Sequence, residues 1–381
     1  MTPFSEKRGW RDKALWTPGP LTTSRGVKAA MQRDLGSRDP EFMAVVRDIR
    51  ERLVALGGGS PGEYTCVPLQ GSGTYCLEAV VSSTVPSDGK VLVVQNGAYG
   101  RRLVRICEVL RVAVRVLEYA EHEAPRVADI AALLAADPAI THVSLCHCET
   151  TSGILNPIAA VGAAVQEAGR LFFVDAMSSY GGVPCDLAAC HIDYLVSSAN
   201  KCVEGVPGFG YVIARLAPFL KKRGLARSLC LDLYDQWEAL EKTGQFRFTP
   251  PTHALLAFHQ ALLELEEEGG VAARSARYTR NHEVLVQGMR RLGYRPFLDP
   301  AVQGPIICSF HYPTHPAWDF ERFYALLSQK GHVIYPGKVG QAACFRLGNI
   351  GRLDERDVTA VLDAIARCMA EMGLPSGGAA T

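Results

Sequence analysis

The sequence predicts an α/β protein: a mostly parallel sheet covered on both faces by helices, followed by a smaller α+β unit. Three observations predict it. Short apolar runs rich in Val, Leu and Phe alternate with longer helical patterns through the first two thirds of the chain. Those runs are too short for helices and suit strands buried on both faces. A long helical stretch at 253–270 then separates this part from a different mix of elements.

Taken in order, VLVVQ (91–95), VAVRVL (112–117), THVSLC (141–146), LFFVDA (171–176) and YLVSSA (194–199) read as buried strands. RVADIAALLAAD (126–137) and AAVGAAVQEAG (159–169) read as helices between them. Strand then helix, repeated, makes a mostly parallel sheet. Ligands of such sheets sit in the loops at the carboxyl ends of the strands. HALLAFHQALLELEEEGG (253–270) reads as one helix ending at a Gly pair, the connection to a second domain. Beyond it come a helix around EVLVQGMRRLG, strands PIICSF, VIYPG and CFRLGNIG, and a last helix, RDVTAVLDAIARCMAEMG. The terminal PSGGAAT is expected to be disordered. No internal repeats are visible.

A length of 381 residues suits two domains sharing one site. With 48% hydrophobic and 21% charged residues, the composition is that of a soluble enzyme with a large core. The net charge is +1 and no basic stripe stands out, which argues against nucleic acid and anionic membrane as partners. The start, MTPFSEKRGWRDKALW, lacks the apolar run of a signal peptide. No apolar stretch is long enough to span a bilayer, and a cytoplasmic location is expected. The 12 cysteines are scattered and form no C-x-x-C pair. Cys146 and Cys148 flank His147, but nothing nearby completes a ligand set, so reduced thiols and no metal are expected.

The chemistry-bearing residues cluster at strand ends. LFFVDAMSS places Asp175 at the carboxyl end of a buried strand, and VSSANKC places Lys201 just past another. An acid and a lysine leaving one sheet edge is what pyridoxal phosphate (PLP) chemistry requires. The lysine forms a Schiff base with the cofactor aldehyde and must be able to lose its proton. The acid pairs with the pyridine nitrogen and keeps it protonated. Each residue alone has a plainer reading: a helix cap or turn for Asp175, a solvated lysine for Lys201. Gly71, Ser72, Gly73 and Thr74 precede a helix from about Tyr75, so their amides and hydroxyls could cradle a phosphate. On their own they are weak evidence, and a plain tight turn accounts for them better. They form neither a P-loop nor G-x-G-x-x-G, since Cys76 takes the third glycine position.

Tyr99, in NGAYGRR, could stack on a flat cofactor or simply fill the core. Glu149, Thr150 and Thr151, in HCETTSG, could bond the cofactor's phenolic oxygen or a substrate. Arg346, in a strand between Phe345 and Leu347, must reach solvent or pair with an anion such as a carboxylate or phosphonate.

Eleven ordered blocks carry a resemblance that runs nearly end to end: TPGPLTTS (17–24), RDLGSRDPEF (33–42), PLQGSGTY (68–75), NGAYGRR (96–102), HCETTSGILNP (147–157), VDAMSSYGG (174–182), SSANKCVEGVPGFG (197–210), LDLYDQW (231–237), FRFTPPTH (246–253), VIYPGKV (333–339) and CFRLGNIG (344–351). Together they resemble the fold-type I PLP enzymes of the small-aminotransferase branch. SRDPEF, HCETTSG, SSANKC and YPGKV look particular to its members acting on 2-aminoethylphosphonate and pyruvate.

The resemblance implies a PLP-dependent transferase fold of type I. A large domain with a mostly parallel seven-stranded sheet (25–265) would carry a small α+β C-terminal domain (266–381), with an N-terminal arm (1–24) packing on the latter. It implies pyridoxal 5'-phosphate as cofactor, and transamination giving phosphonoacetaldehyde and L-alanine. Lys201 would be the Schiff-base lysine and proton shuttle, and Asp175 the partner of the pyridinium nitrogen. Tyr99 would stack on the ring, Ser72, Gly73 and Thr74 would hold the phosphate, and Thr150 would bond near the ring hydroxyl. Arg346 would bind the anionic group of either substrate, and Gly19 lies on a turn that closes over it. Thr249 would reach the phosphate of a neighbouring subunit's cofactor, which makes the assembly a homodimer with shared sites. Two departures stand out: Phe246 where a tryptophan is usual, and Ser152 where a threonine is.

Three other readings share parts of the pattern. An alanine–glyoxylate or serine–pyruvate type aminotransferase would use the same catalytic residues. A PLP desulfurase would want a mobile reactive cysteine, whereas Cys344 reads as part of a strand. An NAD-dependent oxidoreductase would want the missing third glycine.

Overall fold

Residues 12–335 and 342–375 are described by a computed structural model. A short strand, β1 (Ala14–Trp16), comes first. The main sheet is built from β2 (Tyr64–Gly71), β3 (Lys90–Gln95), β4 (Ala113–Glu118) and β5 (Ile140–Cys146). A small hairpin of β6 (Cys148–Glu149) and β7 (Ile154–Leu155) intervenes, and β8 (Leu171–Asp175), β9 (Tyr194–Ser198) and β10 (Gly208–Arg215) complete the sheet. Later come β11 (Ile307–His311), β12 (His332–Ile334) and β13 (Cys344–Gly348).

The seven sheet strands lie in the order β2-β10-β9-β8-β5-β3-β4. From β9 to β4 every pairing is parallel, and β10 runs antiparallel to both β9 and β2. The chain passes from β3 outward to β4, then returns to β5 on the other side of β3. The loops after β3 and β5 therefore flank the point where the winding reverses, where sheets of this kind hold their ligands.

The five strands read from the sequence form within a residue or two of their expected bounds. Four of them, β3, β5, β8 and β9, are almost wholly buried, but β4 is the sheet's edge and is largely exposed. VAVRVL is thus an edge strand and not the buried one its composition predicts. Arg115 and Glu118, on opposite faces of the strand, are both exposed. Two strands of this sheet were not anticipated. In β2, Pro68 interrupts the apolar run, which argues against a strand. It is tolerated because β2 is the opposite edge. The Pro68 carbonyl faces away from β10 and accepts from Gln236 Nε2 at 3.4 Å, so the missing N–H would also have pointed outward. In β10 the glycines at 208 and 210 hide the pattern.

One hydrophobic cluster fills both faces of this sheet, with Phe172, Phe173, Val174, Leu195 and Val196 at its centre. Burying each such side chain contributes about 1.5–3 kcal/mol. A second cluster joins Trp16 to Leu285, Phe310, Phe345 and the final helix Glu355–Glu371. It packs around the antiparallel pair β11–β13, while β1 pairs in parallel with β12. A third, small cluster (Leu21, Cys202, Tyr278, Ile306, Ile307, Ile350) lies between segments of the two. The helix Thr252–Glu268 stops at Gly269, and Gly270 begins another, Gly270–Arg291. Both glycines have positive φ, +107° and +74°, which breaks the α geometry at little steric cost. Among the described residues no helix is long and apolar enough to cross a membrane. Most of the YPGKV block and all of the C-terminal tail beyond Pro375 lie outside the described residues.

Candidate active site

The carboxyl edge of the sheet gathers the residues singled out above. Asp175 is the last residue of β8 and is 5% exposed. Its Oδ1 accepts from the Met177 N–H at 3.0 Å. Burial pushes its carboxyl up to about 6, against the opposing pull of that N–H and of Arg102 and Lys201. Lys201 lies three residues past β9 and is 9% exposed. Burial lowers its amine to about 8, so a neutral form is accessible near physiological pH. Nζ donates to the backbone carbonyls of Pro18 at 3.0 Å and Gly19 at 3.4 Å.

The N-terminal turn thus lies on the lysine. Gly19, at φ +121°, leaves no room for a side chain. A Cβ there would sit 2.5 Å from the Asn200 carbonyl oxygen and 2.6 Å from Lys201 Cδ. The same turn meets the end of β13, where a Cβ on Gly348 would sit 2.6 Å from the Thr17 carbonyl carbon. Arg346, two residues earlier, is 8% exposed. Its Nη1 donates to the Thr150 carbonyl at 2.8 Å, and its guanidinium lies 4.7 Å from the centre of the Tyr335 ring. Burial lowers its titration from the ordinary range. Chain segments far apart in sequence, at 17–20, 150, 201 and 346, therefore meet at one edge.

Ser72 precedes the helix Gly73–Thr84 and its side chain makes no cap hydrogen bond, leaving first-turn amides available to an anion. Gly73 and Thr74 belong to that first turn, two residues earlier than expected. A Cβ on Gly73 would lie 2.2 Å from Met177 Sδ, so the glycine allows the helix start to close on the loop after Asp175. Tyr99 is half-buried on the neighbouring helix, Ala98–Val109. Thr150 is fully buried, and its hydroxyl lacks a hydrogen bond of good geometry while lying beside the Tyr99 hydroxyl.

Thr249 is not brought into this cluster within the chain. It is exposed, and its backbone carbonyl accepts from Gln70 Nε2 at 3.1 Å, next to the end of β2. His147, expected to stay unmetallated, meets the Ser179 hydroxyl at 2.9 Å through Nδ1. Burial pushes its ring down to about 4.

Three features were not anticipated. Arg102 donates from Nη1 to Thr74 Oγ1 at 3.3 Å, and its guanidinium lies 4.9 Å from the centre of the Tyr99 ring. Its i+3 spacing from Tyr99 was the available signal. Ser198, at the end of β9, has a buried hydroxyl with no hydrogen-bond partner among the described residues. Glu204 and Arg274, both buried, form an ionic network with the half-buried Arg277 and Glu268 behind the lysine loop. Arg274 is fully buried, 2.7 Å from the Cys202 carbonyl and 2.7 Å from Glu268. Arg277 bonds the carbonyls of Gly351 and Leu353, just past the strand of Arg346. One helix thereby holds the loops that follow both Lys201 and Arg346. Arg274→Ala is expected to cost about 3–5 kcal/mol of stability by stranding buried partners. A lowered urea midpoint at constant slope would show it; an unchanged midpoint would mean that the network does not brace these loops.

The residues present fit an aldehyde cofactor with a phosphate tail. They supply a buried lysine with an accessible neutral form, a neighbouring buried acid, uncapped first-turn amides, and buried hydroxyls at Thr150 and Ser198 that lack good protein partners.

Comparison with known proteins agrees. The model of the family described as aminotransferase class-V matches residues 22–339. A 2-aminoethylphosphonate–pyruvate transaminase of Paraburkholderia xenovorans is 49% identical over 360 residues, covering 94% of this chain and 92% of that protein. One of Bacillus cereus is 50% identical over 355 residues, covering 93% and 97%. Among solved structures, the pyridoxamine–pyruvate aminotransferase of Mesorhizobium loti superposes with a TM-score of 0.87 at 25% identity, covering 96% of this chain and 94% of that one. The ureidoglycine–glyoxylate aminotransferase of Bacillus subtilis gives 0.88 at 22% identity, covering 98% and 96%, and shares the fold.

Proposed function

Because this chain belongs to the class-V aminotransferase family, we propose that it transfers the amino group of 2-aminoethylphosphonate to pyruvate, giving phosphonoacetaldehyde and L-alanine. The observation that carries this is identity of about half over 94% of the chain to relatives bearing that activity in their names. Bound in this site, pyridoxal 5'-phosphate supplies an aldehyde that takes up the amine and a ring that accepts electrons.

The chain's own groups do the rest. Lys201 Nζ holds the cofactor, then takes the proton from the amine-bearing carbon and returns it elsewhere, one group acting as base and acid. Asp175 keeps the ring nitrogen protonated. Ser72, Gly73 and Thr74 bind the phosphate, Tyr99 stacks on the ring and Thr150 bonds near its hydroxyl. Arg346 binds phosphonate from one substrate and carboxylate from the other, as a planar guanidinium can. The turn carrying Gly19 covers Lys201 and keeps water out.

The active form in this reading is a cytoplasmic homodimer in which Thr249 reaches the partner's cofactor. The exposure of Thr249, with Tyr75 54% and Phe248 44% exposed, supports a second copy on that face. The division into an arm (1–24), a large domain (25–265) and a small domain (266–381) is supported by the separate hydrophobic clusters.

A donor panel tests the activity. Purified protein with pyridoxal 5'-phosphate is expected to consume 2-aminoethylphosphonate with pyruvate as acceptor, and to act poorly on serine or alanine with pyruvate or glyoxylate. Faster turnover of serine or alanine would reassign the substrate.

A further inference from the structure

The loop joining β8, which ends at Asp175, to β9, which leads to Lys201, carries two thiols five residues apart, Cys185 and Cys190. They flank one helical turn. Asp186 starts that turn: its Oδ1 accepts from the Ala189 N–H at 2.8 Å, and its carbonyl accepts from the Cys190 N–H at 3.0 Å. Asp186 is thus the cap, Cys185 the residue before it, and Cys190 the fourth residue after it. Side chains at those two positions pack on each other and fix how the chain enters the turn. Two hydrocarbons ordinarily meet there; here two thiols do, close enough for one to hydrogen-bond the other.

The turn is itself anchored. Leu187 N–H donates to the Gly57 carbonyl at 2.9 Å, and a Cβ on Gly162 would lie 2.0 Å from the Cys190 carbonyl oxygen. The backbone of the turn that carries both cysteines is therefore fixed in place. Cys185 is 9% exposed and Cys190 7%, and the proposed mechanism uses neither.

The geometry points to Cys185 and Cys190 as a redox-modification site, a dithiol that hydroperoxides close to a disulfide. The Cys190 thiolate attacks the peroxide O–O bond. An S–O bond forms, and the other oxygen leaves as water after taking up a proton. The Cys185 thiol then attacks that sulfur, the S–S bond forms, and the second oxygen leaves as water. Two thiols are oxidised, one peroxide is reduced and two waters are released.

Cys190 is suited to the first step. Its bond to Cys185 holds its thiol below the ordinary range, against burial, which pushes the other way. Burial instead pushes Cys66, Cys107 and Cys148 up to about 12, and Cys344 and Cys368 up to about 11. The thiolate is the reactive form, so oxidation favours Cys190 over these.

Peptide mapping of the cofactor-loaded protein tests this. The protein is treated with equimolar hydrogen peroxide, quenched and denatured in acid, alkylated in neutral denaturant, and digested with trypsin without reductant. The fragment spanning residues 171–201 holds these two cysteines and no others. It is expected to lose two hydrogens and to resist alkylation until reduced. In Cys185→Ser, Cys190 should stop at the sulfenic acid and be trapped by a sulfenic-acid reagent. The proposal is overturned if this fragment alkylates fully at both cysteines while exposed Cys230 is oxidised. Since the wild-type protein supplies that result, a variant that fails to fold does not shelter the idea.

Discussion

Lys201→Ala is expected to lower kcat at saturating 2-aminoethylphosphonate by at least about 10³-fold, since in the proposed mechanism Lys201 moves the substrate proton. It should also remove borohydride-stable attachment of the cofactor, as read by peptide mapping. Lys201→Arg should fail as well, because a guanidinium does not give up its proton in the working range. The burial that makes Lys201 useful has a measurable cost in the cofactor-free protein. Its folded value is about 8 against an ordinary 10.5. Between those two pH values the unfolded chain binds more protons, so stability rises with pH across that window. Below about pH 8 the cost of burying the charge is fully present. Lys201→Met should flatten this rise, which urea midpoints at pH 8 and pH 10 would reveal. If the label maps to another lysine, or the variant keeps its turnover, the catalytic assignment is wrong.

The second large effect is expected at Arg346. Arg346→Ala should weaken kcat/KM by about 2–5 kcal/mol for the phosphonate donor and the carboxylate acceptor alike, since both anions lose one desolvated partner. Arg346→Lys keeps the charge but loses the fork that grips two oxygens, and should recover part of the loss. The Thr150 carbonyl, 2.8 Å from Nη1, also loses its donor in the alanine variant. Thermal stability should therefore be measured beside kinetics to separate binding from folding. Unchanged kcat/KM for both substrates would remove Arg346 from the substrate site.

Much of this was determined locally. The runs at 91–95, 141–146, 171–176 and 194–199 are strands because Val, Leu and Phe in short stretches can be buried on both faces of a sheet. Their order also determines that Asp175 and Lys201 leave the same edge, because parallel strands point one way. What the local pattern could not convey was which strands lie at the rim. That depends on pairings between distant segments. It left β4 misjudged as buried and β2 hidden behind Pro68, which an edge tolerates and an interior strand does not.

The same limit applies to the site. The lysine and acid were legible as residue types at strand ends. The depth of their burial, which sets an amine near 8 and a carboxyl near 6, came from packing. So did the meeting of the Gly19 turn with Lys201, the reach of Arg102 to Thr74, and the ionic brace on the loops after Lys201 and Arg346. The sequence by itself determined the fold class and the chemical groups available. Tertiary structure alone decided which groups share a low-dielectric space, because proximity and desolvation arise from contacts between residues far apart along the chain.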